Sequence, residues 1–303
     1  MSASGLAEAL ERLRPRLAAS PEADVGAGRA YAFFSAKGGS GSSTAITNLA
    51  IELHRTTGRK TLIVDLDAEL GEISLLLGVQ PQFNFVDLVQ NFHRMDANLL
   101  ASYIEQHSSG VHLLSAPFHP ERAADITEDE IRQILIYLKG MYDYILVDTP
   151  KSFSPETRAA FEQASGVFLV ATVDLPSLRN IQRALPLLRK VMPRGSEQLH
   201  LVINRYDPND EISVKDVEKT LGIPVYATLA NDYDAVIRSV NSSRPVVMNG
   251  SKSPYARDIR ALAARIGGEP AAEVPERESL LGRFTHKFRT AKPAAERGGA
   301  KRD

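Results

Sequence analysis

The stretch FFSAKGGSGSSTAITNLA, Phe33 to Ala50, decides the fold. Its apolar start completes a short strand-like run, Tyr31–Phe34. Eight residues rich in glycine and serine, Ser35 to Ser42, follow, and a helical pattern begins near Ser43. Glycines let successive backbone N–H groups turn into a concave nest that approaches an anion closely. A helix that starts just behind the nest adds free N–H donors and the positive end of its dipole. A strand, a glycine-rich turn and a helix in this order predict a βα unit with an anion site at its turn.

Working outward, the same alternation continues. Apolar strand-like runs lie at Thr61–Val64, Val111–Leu114, Tyr144–Val147, Gly166–Ala171 and Leu199–Ile203. Helical patterns lie at Thr44–Arg55, Ala97–Gln106, Glu128–Lys139, Pro155–Ala164, Leu178–Val191 and Val214–Leu221, and two more, Ala235–Asn241 and Tyr255–Arg265, close the series. Strands alternating with helices predict an α/β fold whose sheet is mostly parallel and doubly wound. Continuous apolar strands such as YILV suit a sheet covered on both faces. The expected organisation is an N-terminal helix and linker over 1–28, a P-loop domain over 29–267, and a flexible basic tail over 268–303.

Composition narrows the chemistry. The 303 residues include no cysteine, which removes disulfides, Cys-ligated zinc, iron–sulfur clusters and thiol nucleophiles. The seven histidines show no paired ligand spacing. A formal net charge of −1 gives no basis for a nucleic-acid partner. The N-terminus lacks an apolar signal region and no apolar run reaches a membrane-spanning length, so a cytoplasmic location is expected.

The standard phosphate loop is G-x-x-x-x-G-K-S/T. Here Ala36 stands at its first glycine and Ser42 at its lysine. The run Lys37–Thr44, KGGSGSST, instead resembles the deviant Walker A motif K-G-G-x-G-K-S/T-T of the ParA/MinD superfamily. The departure at Ser42 is similar to that of the CpaE/TadZ branch, whose members act in assembling and positioning Tad/Flp-type pili.

That resemblance implies ATP and Mg²⁺ as cofactors and a homodimer with ATP sandwiched between subunits. It carries Gly38, Gly39, Ser40, Gly41, Ser42, Ser43 and Thr44 over as the phosphate cradle, with the Ser43 hydroxyl on Mg²⁺. Lys37 is the signature lysine that reaches the partner's phosphates. In TLIVDLDAELGE, Asp67 matches the second-strand aspartate that positions the attacking water and touches the Mg²⁺ shell, and Asp65 reads as a turn residue. In MYDYILVDTPKSF, Asp148 matches the Walker B aspartate. Lys151 just beyond it reads as a surface lysine, with compensation for the charge missing at Ser42 as the second reading.

Asn204 in LHLVINRYDP matches the residue that reads the adenine edge. Asn231 and Asp232 match the closing segment of the base pocket, although Ala230 replaces a usual proline and Ser243 a usual glycine. APFHPERAADIT, 116–127, resembles a further loop of the family. The residues ahead of the loop are too few for the receiver-like domain that such proteins often carry.

Without the P-loop lysine, ATP binding should weaken, and hydrolysis should be weak or absent. The expected role is a nucleotide-gated localisation factor that engages the pilus secretion ATPase or other Tad components. The alternative is a ParA-like DNA-partition ATPase. Finally, SLLGRFTHKFRTAK, 279–292, spaces Leu280, Leu281, Phe284 and Phe288 at near-helical intervals among basic residues. Such a segment can lie on an anionic membrane surface, at the inner membrane or cell pole.

Overall fold

The computed structural model describes residues 28–119, 126–192, 198–249 and 252–268. The expected N-terminal helix, the tail segment 279–292 and residues 120–125 of the 116–127 loop lie outside the described residues.

β1 (Arg29–Phe34) feeds through the glycine-rich turn into α1 (Ser42–Thr57), which leads to β2 (Thr61–Asp65). Three short helices follow: α2 (Ile73–Leu77), α3 (Phe85–Asn91) and α4 (Ala97–Tyr103). β3 (Glu105–Gln106) and β4 (His112–Leu114) precede α5 (Glu128–Lys139), β5 (Tyr144–Asp148), α6 (Pro155–Gln163), β6 (Gly166–Thr172) and α7 (Leu175–Val191). The series ends with β7 (Leu199–Tyr206), α8 (Val214–Leu221), β8 (Val225–Ala230), α9 (Tyr233–Asn241) and α10 (Pro254–Gly267).

One eight-stranded sheet results, in the order β3-β4-β2-β5-β1-β6-β7-β8. Every pairing is parallel except β3 with β4. Alternate residues of the central strands divide the core. Ala32, Phe34, Leu62, Val64, Ile145 and Val147 face one side. Phe33, Ile63, Tyr144, Leu146 and Phe168 face the other, packed with Ile46, Leu49 and Leu53 of α1 and Ile259 and Leu262 of α10. A sheet buried on both faces is what the continuous apolar strands demand.

Three departures from the sequence reading have local causes. The helix expected over Ala97–Gln106 stops at Tyr103, and Glu105 and Gln106 turn back as an antiparallel edge against His112 and Leu113. β8 is half-buried along most of its length, which blurs the continuous apolar signal of the inner strands. α2 and α3 are five and seven residues long, too short to show a helical period.

The winding direction sets the site. β1 and β5 are neighbours at the centre, and the chain winds from them toward both edges. Ligands of such sheets bind outside the carboxyl ends of the strands at this reversal. Register places Phe33 beside Asp148 and Asp148 beside Asp65, so two carboxylates end adjacent strands directly behind the glycine turn.

Candidate nucleotide site

The turn between β1 and α1 is held by hydroxyls. Ser35 and Ser40 both donate to the Lys37 carbonyl, at 3.0 and 2.9 Å. Gly39 and Gly41 have φ of 75° and 85°, the left-handed region that favours glycine. Gly41 is fixed twice over: a Cβ there would stand 2.3 Å from Asn204 Nδ2. That amide donates to the Ser40 carbonyl at 2.8 Å, tying the end of β7 to the loop. Gly41 also caps α1 without any side-chain bond, which leaves the helix's first N–H groups facing the turn.

Behind the turn sits a group of carboxylates. Ser42 Oγ donates to Asp148 Oδ1 at 3.2 Å. Burial, together with the charge of Asp67, pushes Asp148 up to about 6, against hydrogen bonds from Ser43 and Ser42 and the charge of Lys151. Burial and the neighbouring Asp148 hold Asp65 well above the usual carboxylate range. Asp65 accepts the N–H groups of Asp67 and Ile73 at 3.2 and 3.3 Å, which organises the loop after β2 as a turn carboxylate should. Asp67 accepts Leu70 N–H on one oxygen and the Lys151 ammonium on the other, at 3.2 and 3.1 Å.

Lys151 is therefore a member of this site. Its side chain is exposed, at 42 %, as a surface lysine should be, and it also pairs with Asp67, a contact the sequence reading did not foresee. Burial alone would lower its ammonium; the bond to Asp67 and the charges of Asp67, Asp148 and Glu72 outweigh burial and raise it.

Lys37 sits elsewhere. Its Nζ pairs within the same chain with Asp174 Oδ2 at 3.0 Å. Asp174 caps α7 by accepting Ser177 N–H at 2.9 Å, and also accepts the Thr172 hydroxyl at 2.5 Å. Burial opposes the Asp174 charge, but its bonds from Thr172, Ser177 and Lys37 win and hold its carboxyl below the usual range. Sequence reasoning did not single out Asp174; the only signal was an aspartate before the helical pattern of α7. Lys37, Gly38, Gly39, Ser40, Asp174 and Arg205 line an open cavity of about 410 Å³ on this side of the loop.

A second cavity, of about 140 Å³, opens beside Gly41 and Thr44 and is lined by Asn204, Asn231, Asp232 and Tyr255. The structure thus brings together three of the residues expected around a base. Asn204 already gives one N–H to Ser40 and accepts Arg205 N–H at 2.9 Å, which leaves one donor and one acceptor position. Both Asp232 oxygens are engaged, one by Ala235 N–H and one by the Ser253 hydroxyl, so its carboxylate serves as the α9 cap at the cavity wall. Tyr255 Oη is buried and finds no hydrogen-bond partner among the described residues.

These features fit a magnesium nucleotide. The glycine nest and free helix N–H groups suit phosphates. The carboxylates at the ends of β2 and β5 supply the hard oxygen atoms that Mg²⁺ prefers. Among the described residues no group of three or more His, Asp or Glu side chains could enclose a metal.

A doubly wound sheet with a glycine nest before its first helix, and carboxylates ending the two adjacent strands, defines a P-loop nucleotide-binding protein. The chain belongs to the AAA_31 family, described as an AAA domain, whose model matches residues 28–201, and its similarities lie in the ParA/MinD P-loop ATPase superfamily. It is 28% identical over 243 residues to a putative septum site-determining protein MinD of Guillardia theta, covering 78% of this chain and 87% of that one. The crystal structure of a ParA family ATPase from Chlorobium tepidum superposes with a TM-score of 0.73 at 27% identity, covering 78% and 98% of the two chains. Pyrococcus horikoshii MinD complexed with Mg-ADP superposes with a TM-score of 0.67 at 23% identity, over 78% and 95%, a likeness of fold.

Proposed function

We propose that this chain binds ATP and Mg²⁺ at the Lys37–Thr44 loop, dimerises around them, and acts as a nucleotide-gated localisation and assembly factor for Tad/Flp-type pilus machinery. Its hydrolysis is weak or absent. One observation carries this reading: Ser42 occupies the P-loop lysine position, and its hydroxyl is committed to Asp148 rather than offering a charge to phosphate. Charge-assisted contacts to phosphate are the strong ones, so their loss spares the fold and penalises turnover.

In this reading Gly38 to Ser42 cradle the phosphates, and Ser43, Asp148 and Asp67 hold the ion. Asn204 and Asn231 face the base, and Lys37 leaves Asp174 to cross to the partner subunit. Bound Mg²⁺ would supply charge neutralisation at the phosphates. The chain's own groups orient: Asp67 would accept a hydrogen bond from a water, and the loop would exclude others.

A second reading, a ParA-like partition ATPase, draws support from the likeness to the Chlorobium tepidum protein. It requires a salt-dependent DNA affinity gated by nucleotide. Titration of the full chain with ATP, with duplex DNA at two salt concentrations, and with purified pilus secretion ATPase separates the two. ATP-dependent binding to the pilus component alone supports the first reading; ATP-dependent, salt-sensitive DNA binding replaces it with the second.

Among the described residues no helix is long and apolar enough to cross a membrane. Peripheral contact through 279–292 is part of the proposal, tested by sedimentation with anionic and neutral vesicles. The division into 1–28, 29–267 and 268–303 is likewise proposed, and limited proteolysis checks it.

A further inference from the structure

The site is short of one cation at the phosphate loop and holds another a few ångströms from the same carboxylates. Ser42 gives no charge, yet its hydroxyl touches Asp148, the last residue of β5. Lys151 leaves the same strand end three residues later and closes onto Asp67 across the site. Asp148 and Asp65 are register partners, and the loop that carries Asp67 is pinned to Asp65. The Lys151 ammonium therefore lies among the carboxylates behind the glycine nest, on a side chain long and exposed enough to swing.

Given the nucleotide site proposed above, we infer that Lys151 is the phosphate-contacting cation of this protein, replacing the lysine absent at Ser42 and exchanging Asp67 for the terminal phosphate of ATP. Two consequences are built into the pairing. Without nucleotide, Lys151 neutralises Asp67, which would otherwise stand uncompensated beside Asp148 and Asp65. When a triphosphate draws Lys151 away, Asp67 loses its partner and becomes free to accept a hydrogen bond from water. Loading and the release of Asp67 are then one event.

The bland alternative is a salt bridge that only fixes the loop after β2. A lysine that only fixes the loop would serve every nucleotide alike. A lysine on the terminal phosphate discriminates between ATP and ADP.

The test is calorimetric titration of the full chain with ATP, ADP and AMP in Mg²⁺. Lys151→Ala should weaken ATP binding by about ten- to a hundredfold, the scale of one charge-assisted contact, and leave ADP within about twofold. Lys151→Arg should retain most of the ATP affinity. Ser42→Lys in the Lys151→Ala background should recover it. Equal losses for ATP and ADP, or none, overturn the inference, and unchanged ADP affinity certifies that the variant is folded. A wild-type chain that binds none of the three overturns the nucleotide reading itself, a result visible before any variant is made.

Discussion

Replacing Asp148 by Asn should make the empty protein more stable at pH 8. The carboxyl is buried at the end of β5, among Ser42, Ser43, Asp67 and Lys151, and burial pushes it from 3.8 up to about 6. A raised pKa means that the folded state binds a proton the unfolded chain does not. Its favourable contribution is present below about pH 4 and is lost as pH rises through about 6. A rise of about two units at ~1.4 kcal/mol each sets a ceiling near 3 kcal/mol for the cost of ionising Asp148 at pH 8. Asn keeps an acceptor for the Ser42 hydroxyl and carries no charge. Relief of Asp65, which Asp148 also pushes up, acts in the same direction. Poorer hydrogen bonds to a neutral amide act against it, so a gain of about 1–2 kcal/mol is expected, a few degrees in melting temperature. The assay is thermal and urea unfolding of both proteins in EDTA, without nucleotide, at pH 8 and pH 4.5. The gain should appear at pH 8 and close at pH 4.5. With Mg²⁺ and ATP the order should reverse, because wild type alone gains from the ion. A variant less stable than wild type at pH 8 in EDTA, or a gap independent of pH, would refute the reasoning.

Other outcomes follow from single contacts. Gly41→Ala forces a Cβ into the left-handed region and against Asn204 Nδ2, so it should cost about 2–3 kcal/mol in urea unfolding and abolish nucleotide binding. Asp174→Ala removes the α7 cap and the partner of Lys37 together, and should cost about 1–2 kcal/mol; Asp174→Asn keeps the cap and should cost under about 1 kcal/mol by the same measurement. Ser42→Lys should tighten ATP binding about tenfold and raise phosphate release above the wild-type level.

The fold was legible because its signals are local. Glu128–Lys139 and Val214–Leu221 each carry a capping box, and their helices start and stop where the pattern does. The inner strands are apolar on both faces, and glycines punctuate the anion loop. What escaped was either marginal or distant in sequence. β8 lies at the sheet edge, where partial burial weakens selection for apolar residues. Part of the site was also legible: the register that sets Asp148 beside Asp65 follows from strand order, and Asn204 lands on the loop as a residue at a strand end should. The pairing of Lys37 with Asp174 spans 137 residues, and that of Lys151 with Asp67 spans 84. No periodicity encodes such contacts; they depend on which strand ends the winding brings together. Lys151 in particular looks like any exposed lysine until β5 is set beside β2.

The central claim is that Lys37 to Thr44 form a switch that ATP closes between two subunits. Light scattering of the full chain with Mg²⁺-ATP, with Mg²⁺-ADP and without nucleotide tests it most directly. The account predicts a doubled mass with ATP alone, lost in Lys37→Ala. A mass that ignores nucleotide, with no ATP bound at millimolar concentration, would contradict it and leave a scaffold that kept the fold without the switch.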